Sequence, residues 1–270
     1  MRINHNIQAL NAYRNLGNTN NATSKSLEKL SSGLRINRAA DDAAGLAISE
    51  KMRSQVRGLD MAERNSLDAI SLIQTAEGAL ASTHDILQRM RELSVQSANE
   101  TLETTDKQAI QDEIDALTEE IDRIANETEF NEKKLLDGSI PAGGLAFQIG
   151  ANTEQMLKIE IAGMGATDLG VNSLDMLSNA SSAISTIDAA ISKVSEQRSK
   201  LGAVQNRLEH TITNLQTANE NLTAAESRIR DLDMAEEMTQ FTRNNILNQA
   251  GQAMLAQANQ LPQGVLQLLQ

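Results

Sequence analysis

The residues that most often carry chemistry are scattered in this chain. Its three histidines, His5, His84 and His210, stand far apart, and none has a second imidazole or a thiolate at the spacing a metal ion requires. A helix-surface role is the plainer reading of all three. Carboxylate pairs such as Glu119-Glu120 and Glu236-Glu237 flank apolar stripes, so they read as solvated helix faces and not as a general acid and base. Gly143-Gly144 precedes an apolar run, but no Lys-Ser/Thr follows, and the strand-to-helix setting of a phosphate loop is missing. The pattern offers no nucleophile, base or metal-ligand set. It therefore predicts no enzyme, no cofactor and no metal.

Composition narrows the partners. The 270 residues carry a net charge of −12 with a pI near 4.8. That excludes nucleic acid and anionic membrane surfaces, which bind basic faces that release their counterions. With no Cys, disulfides and thiolate metal sites are absent. There is no Trp, one Tyr (Tyr13) and three Phe, so the rings that fill thick cores are nearly missing. Extended helix packing suits such a chain better. The start, Met1 to Ile7, lacks the continuous apolar core of a signal peptide, and no apolar run reaches the roughly 18 residues of a membrane span. On these grounds alone the location would be cytosolic.

Periodicity supplies the elements. Ile3, Ile7 and Leu10, then Leu16, Leu27 and Leu30, trace a narrow stripe on a first helix that Gly33 can cap. A connector, 34–40, leads to Asp41-Asp42, carboxylates suited to the start of a second helix. No Pro interrupts Ala43 to Asn99, and Ala69, Leu72, Ile73, Ala76, Leu80, Thr83, Ile86, Leu87, Met90 and Leu93 lie on one face. Thr105 and Gln108 have capping-box spacing ahead of Ile110, Ile114, Leu117, Ile121 and Ile124, a shorter helix able to fold back antiparallel. Seven of the fifteen Gly and one of the two Pro fall within 138–170. There the runs 145–149 and 156–161 can pair as one hairpin. From about Ser178 helical spacing returns. Leu201, Val204, Leu208, Thr211, Leu215, Ala218 and Leu222 continue a coiled-coil seam that ends at Leu232. A last stripe runs through Leu247, Ala250, Met254, Ala258, Leu261, Val265 and Leu268, where Pro262 predicts a kink or break near Gln260. The fold class expected is mostly α, a long antiparallel helical coiled coil or bundle with one small β-hairpin region.

The two end stripes are too narrow to fill a core. Burying the C-terminal one, at about 1.5–3 kcal/mol for each large apolar residue, yields about 10 kcal/mol or less. Association costs about 4–15 kcal/mol, so such ends hold only where many contacts form at once. Repeated neighbours in a self-assembling lattice supply that condition.

Leu30-Ser31-Ser32-Gly33-Leu34-Arg35-Ile36-Asn37-Arg38-Ala39-Ala40-Asp41-Asp42-Ala43-Ala44-Gly45-Leu46-Ala47-Ile48 closely resembles bacterial flagellin. Similar passages are Met1 to Leu10, Gln88 to Leu93, Phe130 to Gly138 and Ala225 to Leu269. The resemblance implies a structural subunit that polymerises into the flagellar filament for swimming motility. It implies residues 1–42 and 230–270 as two halves of a terminal coiled-coil domain and residues 43–229 as a helical core domain. Self-assembly would then rest on Ile3, Ile7, Leu10, Leu247, Met254, Leu261, Val265 and Leu268. The implied partners are further copies of the chain, an export chaperone, and the filament cap and hook-junction proteins, with neither nucleic acid nor membrane among them. Export through the flagellar type III apparatus, without a cleaved signal, would replace the cytosolic reading with an extracellular one. In flagellins sensed by a vertebrate Toll-like receptor, the recognition patch maps onto Arg89, Leu93 and Glu113.

Two departures stand out. The section 137–178 is short where many flagellins insert large outer domains, and Gln270 replaces a frequent basic final residue. A hook-filament junction protein and a coiled-coil adaptor that never polymerises are the rival readings.

Overall fold

A computed structural model describes residues 6–268 apart from 100, 142 and 178, with side chains described up to 260. Helix α1, Ile7–Ser32, is opened by Asn6, whose side-chain oxygen accepts the Ala9 N–H, and closed by Gly33. Gly33 takes φ 72° and gives its N–H to the Lys29 carbonyl at 2.9 Å. Only glycine enters that left-handed turn without strain. In the connector the Asp41 carboxylate accepts the N–H groups of Arg38 and Asn37 at 3.0 and 3.3 Å. Asp42 accepts the Gly45 N–H at 2.9 Å and starts α2, Ala43–Ser97. Asp42 thus caps an amide of α2 as expected, whereas Asp41 caps amides of the connector ahead of it.

Helix α3, Thr104–Glu127, begins differently from the expectation of a Thr105–Gln108 box. Glu103 is its N-cap, and the Asp106 carboxylate reaches back to the Glu103 N–H at 3.4 Å. A short carboxylate in the first turn both accepts an orphan amide and complements the helix dipole, which the neutral Gln108 cannot match. Two antiparallel strand pairs follow where one was expected. Strands β1, Glu129–Phe130, and β2, Lys133–Lys134, join through Asn131-Glu132, both at positive φ. Strands β3, Leu145–Gln148, and β4, Met156–Ile159, form the expected hairpin, with Leu145 opposite Ile159. The one-turn α4, Ala166–Leu169, precedes α5, Ala180–Arg230, and α6, Met234–Leu268. Pro262 does not break α6. One withheld N–H removes a single ladder bond, and the turns on either side keep theirs, so continuing costs less than stopping.

The described residues fall into two compact units, residues 56–220 and residues 1–55 with 221–270. In the first, α2, α3 and α5 bury one continuous apolar cluster that includes Ile73, Leu80, Leu87, Met90, Ile114, Ile121, Ile187, Leu201 and Leu208. Helices α2 and α5 run antiparallel there, with Arg91 on Asp188 at 2.7 Å and Gln216 on Glu63 at 2.7 Å. Polar side chains fasten the irregular segment to this core. Gln111 holds the Leu174 carbonyl and the Met176 N–H, Asp122 accepts the Ala166 N–H, and Gln197 donates to the Glu160 carbonyl. Each supplies a partner to a backbone group of that segment.

Candidate functional site

The other unit is built on opposite terms. Helices α1 and α6 lie antiparallel, tied by a bridge between Leu34 and Asp231 and by Asn248 donating to the Thr23 hydroxyl at 2.9 Å. The Arg35 guanidinium donates twice to the Ile229 carbonyl, at 2.5 and 3.2 Å, and Arg230 pairs with Glu50 at 2.6 Å. The buried residues among those described in this unit are Ser26, Ile36, Gly45, Ser49, Asn244 and Ala258, so only Ile36 among them is a large apolar side chain. The large apolar side chains face outward instead. Tyr13 is 68% exposed, Met254 62%, Ile246 60%, Ile7 and Leu10 58%, and Leu247 50%. So concentrated an apolar exposure marks a surface that another protein covers.

That surface has relief. Leu16, Leu247, Gly251, Met254 and Ala258 line part of a groove of about 740 Å³ along the α1–α6 pair. A Cβ at Gly251 would approach Leu16 to 3.3 Å, so glycine lets the two helices close on each other. On the outer side of α6, Met238, Thr242, Ile246 and Leu247 border a second hollow of about 520 Å³. Nearer the connector, Lys25, Lys29 and Arg35 share a polar cleft with Asp233, Glu236 and Glu237. Hydrogen bonds from the Arg38 and Asn37 amides, with the charges of Lys25 and Lys29, hold the Asp41 carboxyl below its ordinary range. Grooves, ridges and mixed charge of this kind can receive a helix. Among the described residues no three His, Cys, Asp or Glu side chains gather as metal ligands, and no helix is long and apolar enough to cross a membrane.

Of the assembly residues expected from the sequence, Ile7, Leu10, Leu247 and Met254 are all largely exposed on this unit. Ile3 lies outside the described residues, and Leu261, Val265 and Leu268 belong to α6 with side chains outside them. Tyr13 and Ile246, missed by the stripe reading, are as exposed as the residues it chose. The signal for Tyr13 was available: the chain's sole tyrosine falls one helical turn after Leu10 on a polar helix. Arg89 and Glu113 come together in the helical core unit, at 2.9 and 3.1 Å, with Glu92 as a third member at 3.2 Å. The hydrogen bond to Glu113 is the main reason the Arg89 guanidinium holds its proton more firmly than usual. Leu93 is only 2% exposed and packs into the apolar cluster instead of joining that surface pair.

Known families match both ends of the chain. The bacterial flagellin N-terminal helical region matches residues 3–140, and the bacterial flagellin C-terminal helical region matches residues 184–269. Flagellin of Bacillus subtilis strain 168 is 60% identical over 303 aligned residues, and flagellin of Halalkalibacterium halodurans 60% over 273, each spanning 100% of both chains. A flagellar filament core protein of Treponema phagedenis is 51% identical over 285 residues, again at full coverage. The crystal structure of Bacillus cereus flagellin superposes with a TM-score of 0.52 at 32% identity, covering 60% of this chain and 94% of that one. With helical regions matched at both ends and full-length relatives at this identity, the chain belongs to the bacterial flagellins.

Proposed function

We infer that this chain is a structural subunit of the bacterial flagellar filament, with mechanical rather than catalytic work. One observation carries the reading: a unit with a closed apolar core coexists with a terminal unit whose large apolar residues face outward. Packing α1 and α6 of one copy against those of its neighbours covers Ile7, Leu10, Tyr13, Leu247 and Met254, and each copy gains from several neighbours at once. That multiplicity offsets the association cost that one narrow stripe cannot meet. Electron microscopy of the purified protein tests it. Long filaments are expected, and particles that never elongate would contradict it. Because each subunit carries −12, growth followed by light scattering should quicken as salt is raised from low ionic strength.

The first of the finer proposals rests on the same exposed surface. Before assembly the apolar face of α6 needs cover, and an export chaperone binding there is the simplest provider. Passage through the flagellar type III apparatus then places the filament outside the cell, with cap and hook-junction proteins at its two ends. In cells lacking that apparatus the protein should stay in the cell pellet; finding it in the medium would refute the route. A Toll-like receptor is proposed to meet Arg89 and Glu113, while Leu93 beneath them shapes the helix face. Arg89→Ala should weaken binding to the purified receptor ectodomain by about tenfold, the order expected for a charged hydrogen-bond pair. Unchanged binding would remove this site.

A further inference from the structure

Helix α6 continues through Pro262, and a proline four residues on leaves the carbonyl of Ala258 without its helical donor. Ala258 is only 8% exposed, so water is poorly placed to answer that oxygen. A donor arrives from the other terminus: Asn6 Nδ2 meets the Ala258 carbonyl at 2.7 Å. The opposite atom of the same carboxamide, Oδ1, accepts the Ala9 N–H at 3.1 Å and caps α1. One side chain thus answers two orphan groups on two helices.

We propose that Asn6 is a positioning residue that fixes the register of α1 on α6 at the end far from the Leu34–Asp231 bridge, supplying from one terminus the hydrogen bond that Pro262 withholds at the other. This rests on the reading of the α1–α6 pair as the assembly surface. Sliding α1 along α6 by one turn would leave the Ala258 oxygen buried and unanswered, so the bond penalises every register but one. The Leu34–Asp231 bridge and the Arg35–Ile229 bonds fix the opposite end of the pair, and between those two ends the stripe offers little such discrimination. Ala12, Ala250, Gly251 and Ala258 present similar small surfaces at neighbouring turns. The further polar tie, Asn248 to Thr23, joins two flexible side chains and tolerates a shift more readily. Proline in a terminal helix thereby acts as a marker that a single amide can read.

The test separates the clamp from the cap. Asn6→Asp keeps an N-cap oxygen of equal quality and loses the donor, placing a carboxylate against the carbonyl. Pro262→Ala gives Ala258 a donor of its own and makes Asn6 dispensable. Critical concentrations for polymerisation of the full-length purified chain are measured for wild type, N6D, P262A and N6D/P262A. N6D should raise the critical concentration about fivefold or more, the scale of one hydrogen bond. N6D/P262A should return to within about twofold of P262A, the limit set by independent sites. An N6D value like wild type, or a rise that P262A leaves untouched, overturns the proposal. If wild type itself fails to polymerise, the assembly reading falls instead. The clamp is then judged by hydrogen exchange of residues 254–268, which must quicken in N6D and recover in N6D/P262A.

Discussion

Gly33 shows what a single residue does here. It ends α1 at φ 72°, and a Cβ added to it would meet nothing within 4 Å. Any cost of Gly33→Ala therefore lies in the backbone conformation and not in a clash. About 1 kcal/mol of stability should be lost, measured as a lower thermal midpoint of the terminal unit. This residue was legible from its place after Ser31-Ser32, as were Asp41 and Asp42, because capping depends on residues within one turn of each other. Asn131-Glu132 was not legible. Both take positive φ in the tight β1–β2 turn, yet Glu lacks the signal that an Asn-Gly pair would give, so the strand pair went unseen.

Among elements, α5 depends on packing more than on its own preferences. Leu201, Leu208 and Leu215 recur at heptad spacing and are all buried, and the first two join the continuous core cluster. Leu208→Ala should cost about 2–5 kcal/mol, because the cavity forms between helices held at many other points. Chemical denaturation of the purified protein measures it, and a loss near zero would show that α5 is not a core element. The long helices were legible for the same reason: 3.6-residue periodicity accumulates over many turns, and α2 keeps it with no proline. Pro262 does not break α6 because its penalty is local, one lost ladder bond in a helix that also has tertiary partners, among them the Asn6 amide on the Ala258 carbonyl. The Thr105–Gln108 box misled because two candidate starts lay two residues apart and charge favoured Glu103 and Asp106.

For the whole molecule, stability and assembly are assigned to different parts of one chain. Residues 56–220 bury most of their large apolar residues among themselves, and the terminal unit exposes most of its own, which the proposed assembly would cover with other copies. The sequence showed the narrowness of the end stripes but not which apolar residues stay exposed. Whether Leu16 or Met254 faces a groove depends on how closely α1 and α6 approach at Gly251. The most direct test of this division puts charge into that groove. Leu247→Asp with Met254→Asp should abolish filaments in electron micrographs even about tenfold above the wild-type critical concentration, since neighbours cannot bury unpaired carboxylates. Hydrogen exchange across residues 56–220 should remain as in wild type. Normal filaments from that double variant would contradict the account.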